Sequence, residues 1–154
     1  MENKSRDEVY EGYYKWLGQT TKNRQGGEPT TLFNEERMFC NGLALHHYDL
    51  LRFYPDKTVI HAAVMSPRGF NLENILEWFT KDNPNNGKGT YKIEGKMISF
   101  ECKCNAGTIA FVGEVVDEKL VMDSYSLING HAACNREYEE INTNARCLQY
   151  SLTK

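Results

Sequence analysis

Arginine and tyrosine recur in two aromatic segments of the chain, and their spacing could supply an anion-binding site. Arg136 and Tyr138 lie two residues apart in REY, and Arg52 lies between Tyr48 and Tyr54 in HYDLLRFY. Side chains two residues apart share one face of an extended strand. A guanidinium turned into a protein interior must be paired or must await an anion. We therefore predict that these five residues form the polar end of a mostly apolar ligand pocket.

The second of these segments indicates more clearly which face points inward. In Ala132–Ile141, the face opposite Arg136 carries an amide and two carboxylates, which favours contact with water. We therefore rank Arg136 above Arg52 as the anchor, because both faces of the strand around Arg52 carry apolar residues. The alternative is an ordinary exposed face, with Arg52 beside cross-strand acids.

Histidine and cysteine side chains are the candidates for metal binding and for nucleophilic catalysis. Those expected near one end of the fold are His46, His47, Cys104, His131 and Cys134. Imidazole and thiolate are good zinc or copper ligands, but this spacing matches no zinc motif. No nucleophile with a base and an orienting group is evident either. We predict no metal, no cofactor and no catalytic residue, and His61 is interpreted as an ordinary strand residue.

Composition narrows the class of protein. The chain has 154 residues and a formal net charge of -3, which suits one domain over residues 1–154 and gives no electrostatic footprint for nucleic acid. No apolar stretch approaches a membrane span, and the polar amino terminus does not resemble a secretory signal. Five cysteines without such a signal indicate free thiols in a reducing compartment. We expect a cytoplasmic protein whose partner is a small molecule or another protein.

Short turns and alternating side chains predict an antiparallel meander. Pro55-Asp56-Lys57 and Asn129-Gly130 are turn sequences with a clear backbone reason. The predicted strands are 43–54, Thr58–Met65, 90–93, Met97–Cys104, 108–116, 119–128 and Ala132–Ile141, with a further one in 146–152 as an option.

Apolar residues at i, i+3, i+4 and i+7 predict one short helix over 71–79, with Asn71 as its cap. The amino-terminal part is less determined. The aromatic segment 9–17 favours a strand, with a short helix as the open alternative. Residues 18–31 are predicted to be a mobile loop, and 32–40 fits either a strand or a helical turn.

A meander of this many strands usually closes, because closure removes exposed edges. The fold class expected is therefore mainly β: an antiparallel meander closed into a barrel of about eight to ten strands, with one short helix at one end. The helix and the turns at Asn105 and Asn129 fall at the same end, opposite the tight turns at Asp56 and Gly95. The mouth of the barrel is expected at the helix end.

Three segments together resemble a known architecture: LRFYPDKTVI, GTYKIEGKMISFE and GTIAFVGEVVDEKLVMDSYSLINGHAACNREYEEI. They are similar to the lipocalin-like, calycin-type barrel of small stand-alone proteins of unassigned role, and to the barrel that follows the F-box in some F-box proteins. Lys57 stands where the related pattern prefers Gly, and Gly12 and Trp16 are too far apart for the lipocalin G-x-W start. The resemblance implies the fold rather than an activity.

Three functions remain open at this point. The first is non-catalytic binding of a small apolar or amphipathic molecule, carboxylates included, in a barrel cavity. The second is a protein-interaction module whose barrel is filled by side chains, and the third is a small barrel isomerase. A cavity would favour the first function, a filled interior with an exposed apolar patch the second, and an isolated ionisable pair in the cavity the third.

Overall fold

Nine strands and two α-helices form the part of the chain that the structure describes. The structure is a computed structural model, and it describes residues 5–44, 47–65 and 72–141. In chain order the elements are α1 (Arg6–Asn23), a 3-10 turn (Leu32–Asn34), β1 (Arg37–Ala44), β2 (His47–Phe53), β3 (Thr58–Met65), α2 (Leu72–Trp78), β4 (Gly87–Thr90), β5 (Lys92–Glu94), β6 (Met97–Cys104), β7 (Gly107–Val116), β8 (Lys119–Ser126) and β9 (Ala132–Ile141).

The strands close into an antiparallel barrel, as the sequence predicts. Neighbouring strands pair in the order β4-β3-β2-β1-β9-β8-β7-β6, and a pairing between Lys88 of β4 and Lys103 of β6 completes the ring of eight. The ninth strand, β5, pairs with the other half of the same β6 edge. The barrel is therefore an up-and-down meander whose shortest described pairing is the one between β4 and β6.

Aromatic side chains fill the half of the barrel interior that is closest to the tight turns at Asp56 and Gly95. Phe33 of the 3-10 turn covers this closed end, with its ring 4.5 Å from that of Phe53. Tyr91 is buried beside them and donates a hydrogen bond to the carbonyl of Tyr54 at 2.6 Å. Phe100 stacks on Phe111 with ring centres 4.9 Å apart. These side chains belong to one buried cluster that packs this half of the barrel.

The first helix corrects the prediction of a strand over 9–17. Ser5 and Glu8 form a capping box, in which the Ser5 hydroxyl accepts from the Glu8 amide and the Glu8 carboxylate accepts from the Ser5 amide. Val9 and Tyr13 then fall on one helical face and pack against Tyr125 on the outer wall. The helix continues to Asn23, so the first residues of the predicted loop 18–31 are also helical.

The carboxylate of Asp123 fastens the end of α1 to the barrel. It accepts hydrogen bonds from the Thr20 hydroxyl and from Nη2 of Arg24, the latter at 3.3 Å. It also accepts from the backbone N–H of Asn135 at 2.8 Å, where β9 bulges and Asn135 adopts a φ of 53°. One buried carboxylate thus joins a helix end to a β-bulge.

Further boundaries differ from the prediction. The predicted strand 90–93 is divided between β4, which ends at Thr90, and β5, which begins at Lys92, and the predicted strand 119–128 ends at Ser126. Residues 43–54 do not form one strand, because β1 ends at Ala44 and β2 begins at His47. Residues 32–40 contain both alternatives that the sequence left open, a 3-10 turn followed by the start of β1. Asn71, His46, Cys147 and the optional strand 146–152 lie outside the described residues.

The second helix covers part of the outer wall beside β1, β2 and β3. Leu72, Ile75 and Phe79 are buried against outward side chains of those strands, among them Leu50 and Ile60. Four of the five cysteines fall in the described ranges, and all four are free thiols. Neither described helix has the length and apolar character needed to span a bilayer.

Candidate functional site

A buried carboxylate lies at the centre of a polar layer inside the barrel. Asp49 of β2 is 4% exposed and faces the same interior as the aromatic side chains. Its Oδ1 is 2.6 Å from Nε2 of His61 on β3. Its Oδ2 accepts a short hydrogen bond from the hydroxyl of Tyr138 on β9. The layer thus joins three strands across the barrel.

Arginine completes this layer. Nη2 of Arg136 lies 3.3 Å from Oδ2 of Asp49 and donates to the side-chain oxygen of Asn41 at 3.2 Å. The guanidinium also stands over the Tyr138 ring, 5.5 Å from its centre. The Nε of Arg136 is buried and has no hydrogen-bond partner among the described residues. The guanidinium therefore already has an anion, the carboxylate of Asp49.

Electrostatics fixes the protonation of three groups here. Burial acts to raise the pKa of the Asp49 carboxyl, but the hydrogen bonds and charges of its partners outweigh burial and lower that pKa. Burial and the Asp49 charge raise the pKa of Tyr138, which stays a phenol. Burial likewise raises the pKa of the Cys102 thiol, with the charge of Asp49 adding to the shift. At neutral pH the layer therefore contains a carboxylate, a phenol and a neutral thiol.

A cavity of about 520 Å³ lies next to the polar layer, at the end where the sequence predicts the mouth. His61 lines it, and its ring packs against Phe111 with centres 5.1 Å apart. Trp78, at the end of α2, forms part of the rim. The volume is within the range of ordinary small-molecule sites, about 300–1,000 Å³.

Small side chains create this space. The cavity wall includes Ala63 of β3, Gly87 of β4, and Cys102 and Cys104 of β6. At the same depth a large aromatic from any of these strands would fill the opening, as Phe53 and Phe100 fill the closed end. Strands β3, β4 and β6 thus carry their smallest inward residues at one end of the barrel.

The structure separates the five predicted site residues into two groups. Arg136 and Tyr138 lie in the interior layer described above. Arg52 does not join them. It lies on the outer face of β2, where Nη1 donates to the Phe79 carbonyl at 2.6 Å and Nη2 pairs with Glu36 at 2.5 Å.

Tyr48 and Tyr54 lie on the same outer face as Arg52, among the residues that pack around α2. Burial raises the pKa of Tyr54, and the Arg52 guanidinium stands over its ring at 5.4 Å. The expectation of one shared pocket is therefore corrected for Arg52, Tyr48 and Tyr54. The reason is that β2 is apolar on both faces: its odd-numbered residues join the aromatic interior, and its even-numbered residues face α2.

Two residues at the centre of the site, Asp49 and His61, were not predicted. Asp49 pairs with Ala63, and His61 pairs with Leu51, so the two polar side chains are diagonal neighbours across β2 and β3. The turn between these strands fixes that register in the sequence. The contact between Asp49 and His61 could therefore be predicted from their positions in the hairpin, provided that the inward face of β2 is known.

A second cleft lies outside the barrel, between α1 and β9. It has a volume of about 470 Å³, and its walls include Trp16 on the helix and Ala132 on the strand. The Asp123 carboxylate and Arg24 form its floor and are already paired with each other. Each of the two tryptophans of the chain therefore belongs to a different concavity, Trp16 to this cleft and Trp78 to the mouth.

Within residues 5–44, 47–65 and 72–141, no three His, Cys, Asp or Glu side chains are placed to hold a metal ion. Comparison of the chain with models of protein families, with curated proteins and with solved structures found no match. The class of protein that fold and site define is thus a closed antiparallel β-barrel with an aromatic-filled end and a polar layer beneath a cavity.

Proposed function

We propose that this protein binds a compact, largely apolar small molecule in the mouth of a lipocalin-like barrel. The observation that carries the proposal is the cavity of about 520 Å³, whose described lining combines small and apolar residues with a single imidazole, His61, and the amides of Asn83, Asn85 and Asn86. The closed meander of eight strands supports the lipocalin-like assignment. A barrel serving only as a packed interaction module would have no need of small inward residues on three adjacent strands.

The charges beside the cavity favour a neutral ligand. Asp49 and Arg136 carry opposite charges that cancel, and the described lining of the cavity contains no lysine or arginine to hold a carboxylate. A neutral polar group could still hydrogen-bond to His61, as a few polar groups typically orient ligands in apolar sites. We therefore propose an alcohol or carbonyl compound as the ligand class, and a fatty acid as the poorer ligand at neutral pH.

Tryptophan fluorescence can locate the binding site. In a Trp16→Phe variant, Trp78 at the cavity rim is the remaining tryptophan. Titration with octanol and with octanoate should change its emission saturably, with the alcohol binding more tightly at neutral pH. Failure of both compounds to bind would contradict the proposal.

A matched pair of plugging variants tests the cavity itself. Ala63→Phe places a ring in the mouth and should weaken octanol binding by at least about tenfold, because it removes the space that the ligand occupies. Ala132→Phe makes the same change on an exposed strand residue in the other cleft and should leave affinity unchanged. Equal affinities of Ala63→Phe and the unmodified protein would contradict the assignment of the site.

A further inference from the structure

His61 is the one described cavity residue that combines a basic side chain with a buried acidic partner. The other ionisable groups in the described lining are the thiols of Cys102 and Cys104. Cys102 remains a thiol, because burial raises its pKa. Arg136 and Tyr138 stand behind Asp49, and both act as hydrogen-bond donors to it. The imidazole is therefore the group through which this polar layer reaches the cavity.

The carboxylate determines which imidazole nitrogen carries the hydrogen. Ionised Asp49 can only accept hydrogen bonds, so Nε2 of His61, 2.6 Å away, must donate. In the neutral imidazole the lone pair then resides on Nδ1. This is the state in which a histidine accepts a proton, and the same carboxylate stabilises the imidazolium that results.

The hydrogen-bond donors around Asp49 indicate that the position of its carboxylate matters. A buried carboxylate is costly, and apolar residues of similar volume are often at least as stable. Here it has three separate donors on two strands, which fix both of its oxygens. A base, an orienting acid and a set of residues that position the acid form the arrangement found around activated histidines.

We propose that His61 acts as a general base and that the barrel catalyses proton transfer within a small neutral carbonyl compound bound in its mouth. This inference rests on the proposed ligand site and adds an activity to it. In the reaction, Nδ1 of His61 takes a proton from the carbon next to the carbonyl, and the electron pair of that C–H bond forms an enolate. Where a carbon–carbon double bond adjoins that carbon, the enolate is a dienolate, and the imidazolium returns the proton to the far carbon of that double bond, so that the conjugated isomer leaves and no other reactant is consumed.

A nitrobenzisoxazole is a suitable probe because removal of its C–H proton opens the ring. The electron pair forms a nitrile, the N–O bond breaks, and a coloured phenolate is released, while the base keeps the proton. The full chain should accelerate this release well above free imidazole at the same concentration, by at least about 100-fold per site. Quenching of Trp78 in the Trp16→Phe variant reports binding of the same probe separately.

Two variants, one at each position, test the roles of His61 and Asp49. His61→Gln should abolish the acceleration while the probe still quenches Trp78. Asp49→Asn should lower kcat by at least about tenfold with KM nearly unchanged, because an amide does not stabilise the imidazolium that forms in the reaction. Circular dichroism checks that each variant is folded.

Two results would overturn the inference. One is probe binding without acceleration over free imidazole, which leaves the ligand site intact and removes the activity. The other is a His61→Gln variant that remains as active as the unmodified chain. Nitrogen NMR of the unmodified protein gives a further test that needs no variant: His61 should carry its hydrogen on Nε2, and a hydrogen on Nδ1 in the neutral form contradicts the mechanism. Failure of the probe to quench Trp78 would instead count against the ligand site.

Discussion

At the scale of single residues, Asp49 is the group on which the interior polar layer depends. Its three partners come from β3 and β9, so the carboxylate joins strands that are not neighbours. Hydrogen bonds to a charged group contribute more to stability than those between neutral groups. The layer is therefore a structural link across the barrel, and its member His61 also lines the cavity.

Removing one of these hydrogen bonds should be measurable. Tyr138→Phe deletes the hydroxyl that donates to Asp49 and keeps the buried ring. We expect the free energy of unfolding to fall by about 1.5–3 kcal/mol at neutral pH. Urea denaturation measures this, with Tyr14→Phe as the control, since Tyr14 is 66% exposed. Equal losses in the two variants would show that the hydroxyl of Tyr138 contributes nothing specific.

The stability difference between the unmodified protein and the Tyr138→Phe variant should also depend on pH. The pKa of Asp49 is lowered on folding, so its contribution is complete above the unfolded-state value of about 3.9 and is lost as the pH falls through the lower folded-state value. The stability difference between the unmodified protein and Tyr138→Phe should accordingly narrow in strong acid. A difference that widened there would contradict this account.

The sequence places two members of the interior polar layer on one face of β9. Arg136 and Tyr138 were predicted correctly to share an inward face, because the opposite face of β9 is acidic and hydrated. The inward position of Asp49 was not predicted. Its strand is apolar on both faces, and such a pattern does not indicate which face a helix will cover. The missing information was tertiary: α2 packs against the even-numbered residues of β2.

At the scale of elements, α1 depends on contacts at its two ends. Its first turn is fixed by the capping box, and its last turn by Asp123. Between them Tyr13 stacks with Trp16, and its hydroxyl donates to Glu101 at 2.6 Å. Burial raises the pKa of Tyr13, which keeps it a donor.

Loss of the Asp123 carboxylate should release the end of the helix. Asp123→Ala removes the acceptor for Thr20, Arg24 and the Asn135 amide, and leaves the arginine with Glu114 and the side-chain oxygen of Asn135. We expect a loss of about 3 kcal/mol in unfolding free energy and faster hydrogen exchange in the last turn of α1. Asp82→Ala, at an exposed acid, is the control. Unchanged exchange in the last turn would show that the helix is held by its apolar face alone.

The aromatic segment 9–17 shows how propensity can mislead. Tyrosine, valine and tryptophan favour strands, and the segment was predicted to be one. The capping box at Ser5 and Glu8 and the helical spacing of Val9, Tyr13 and Thr20 were the contrary signals. By contrast, β3, β6 and β9 match their predicted bounds, because tight turns delimit them on at least one side.

At the scale of the whole molecule, closure of the barrel rests on a narrow seam between β4 and β6. Gly89 lies where a Cβ would stand 1.8 Å from the carbonyl oxygen of Glu101, so any side chain here separates the strands. Glycine is required for this close approach. The mouth cavity borders the same seam through Gly87 and Cys102.

Gly89→Ala should therefore open the barrel locally. We expect a loss of about 1–3 kcal/mol in unfolding free energy and faster amide exchange along β4 and the facing half of β6. Gly18→Ala is the matched control: it lies in α1 with no atom within 4 Å of the added Cβ, and it should be neutral or stabilising. If the two variants were equally stable, the seam would have to be wider than described.

The position of α1 has a consequence for how the chain folds as it is synthesised. The helix is made first, yet its docking surface is on β7 and β8; the hydrogen bond from Tyr125 to the Val9 carbonyl spans 116 residues, and that from Thr20 to Asp123 spans 103. A nascent chain that has emerged only through β6 has neither this surface nor the β9 edge that closes on β1. We therefore expect the aromatic face of the helix to stay exposed to water and to chaperones until β7 and β8 have left the ribosome, so that the helix docks late in folding.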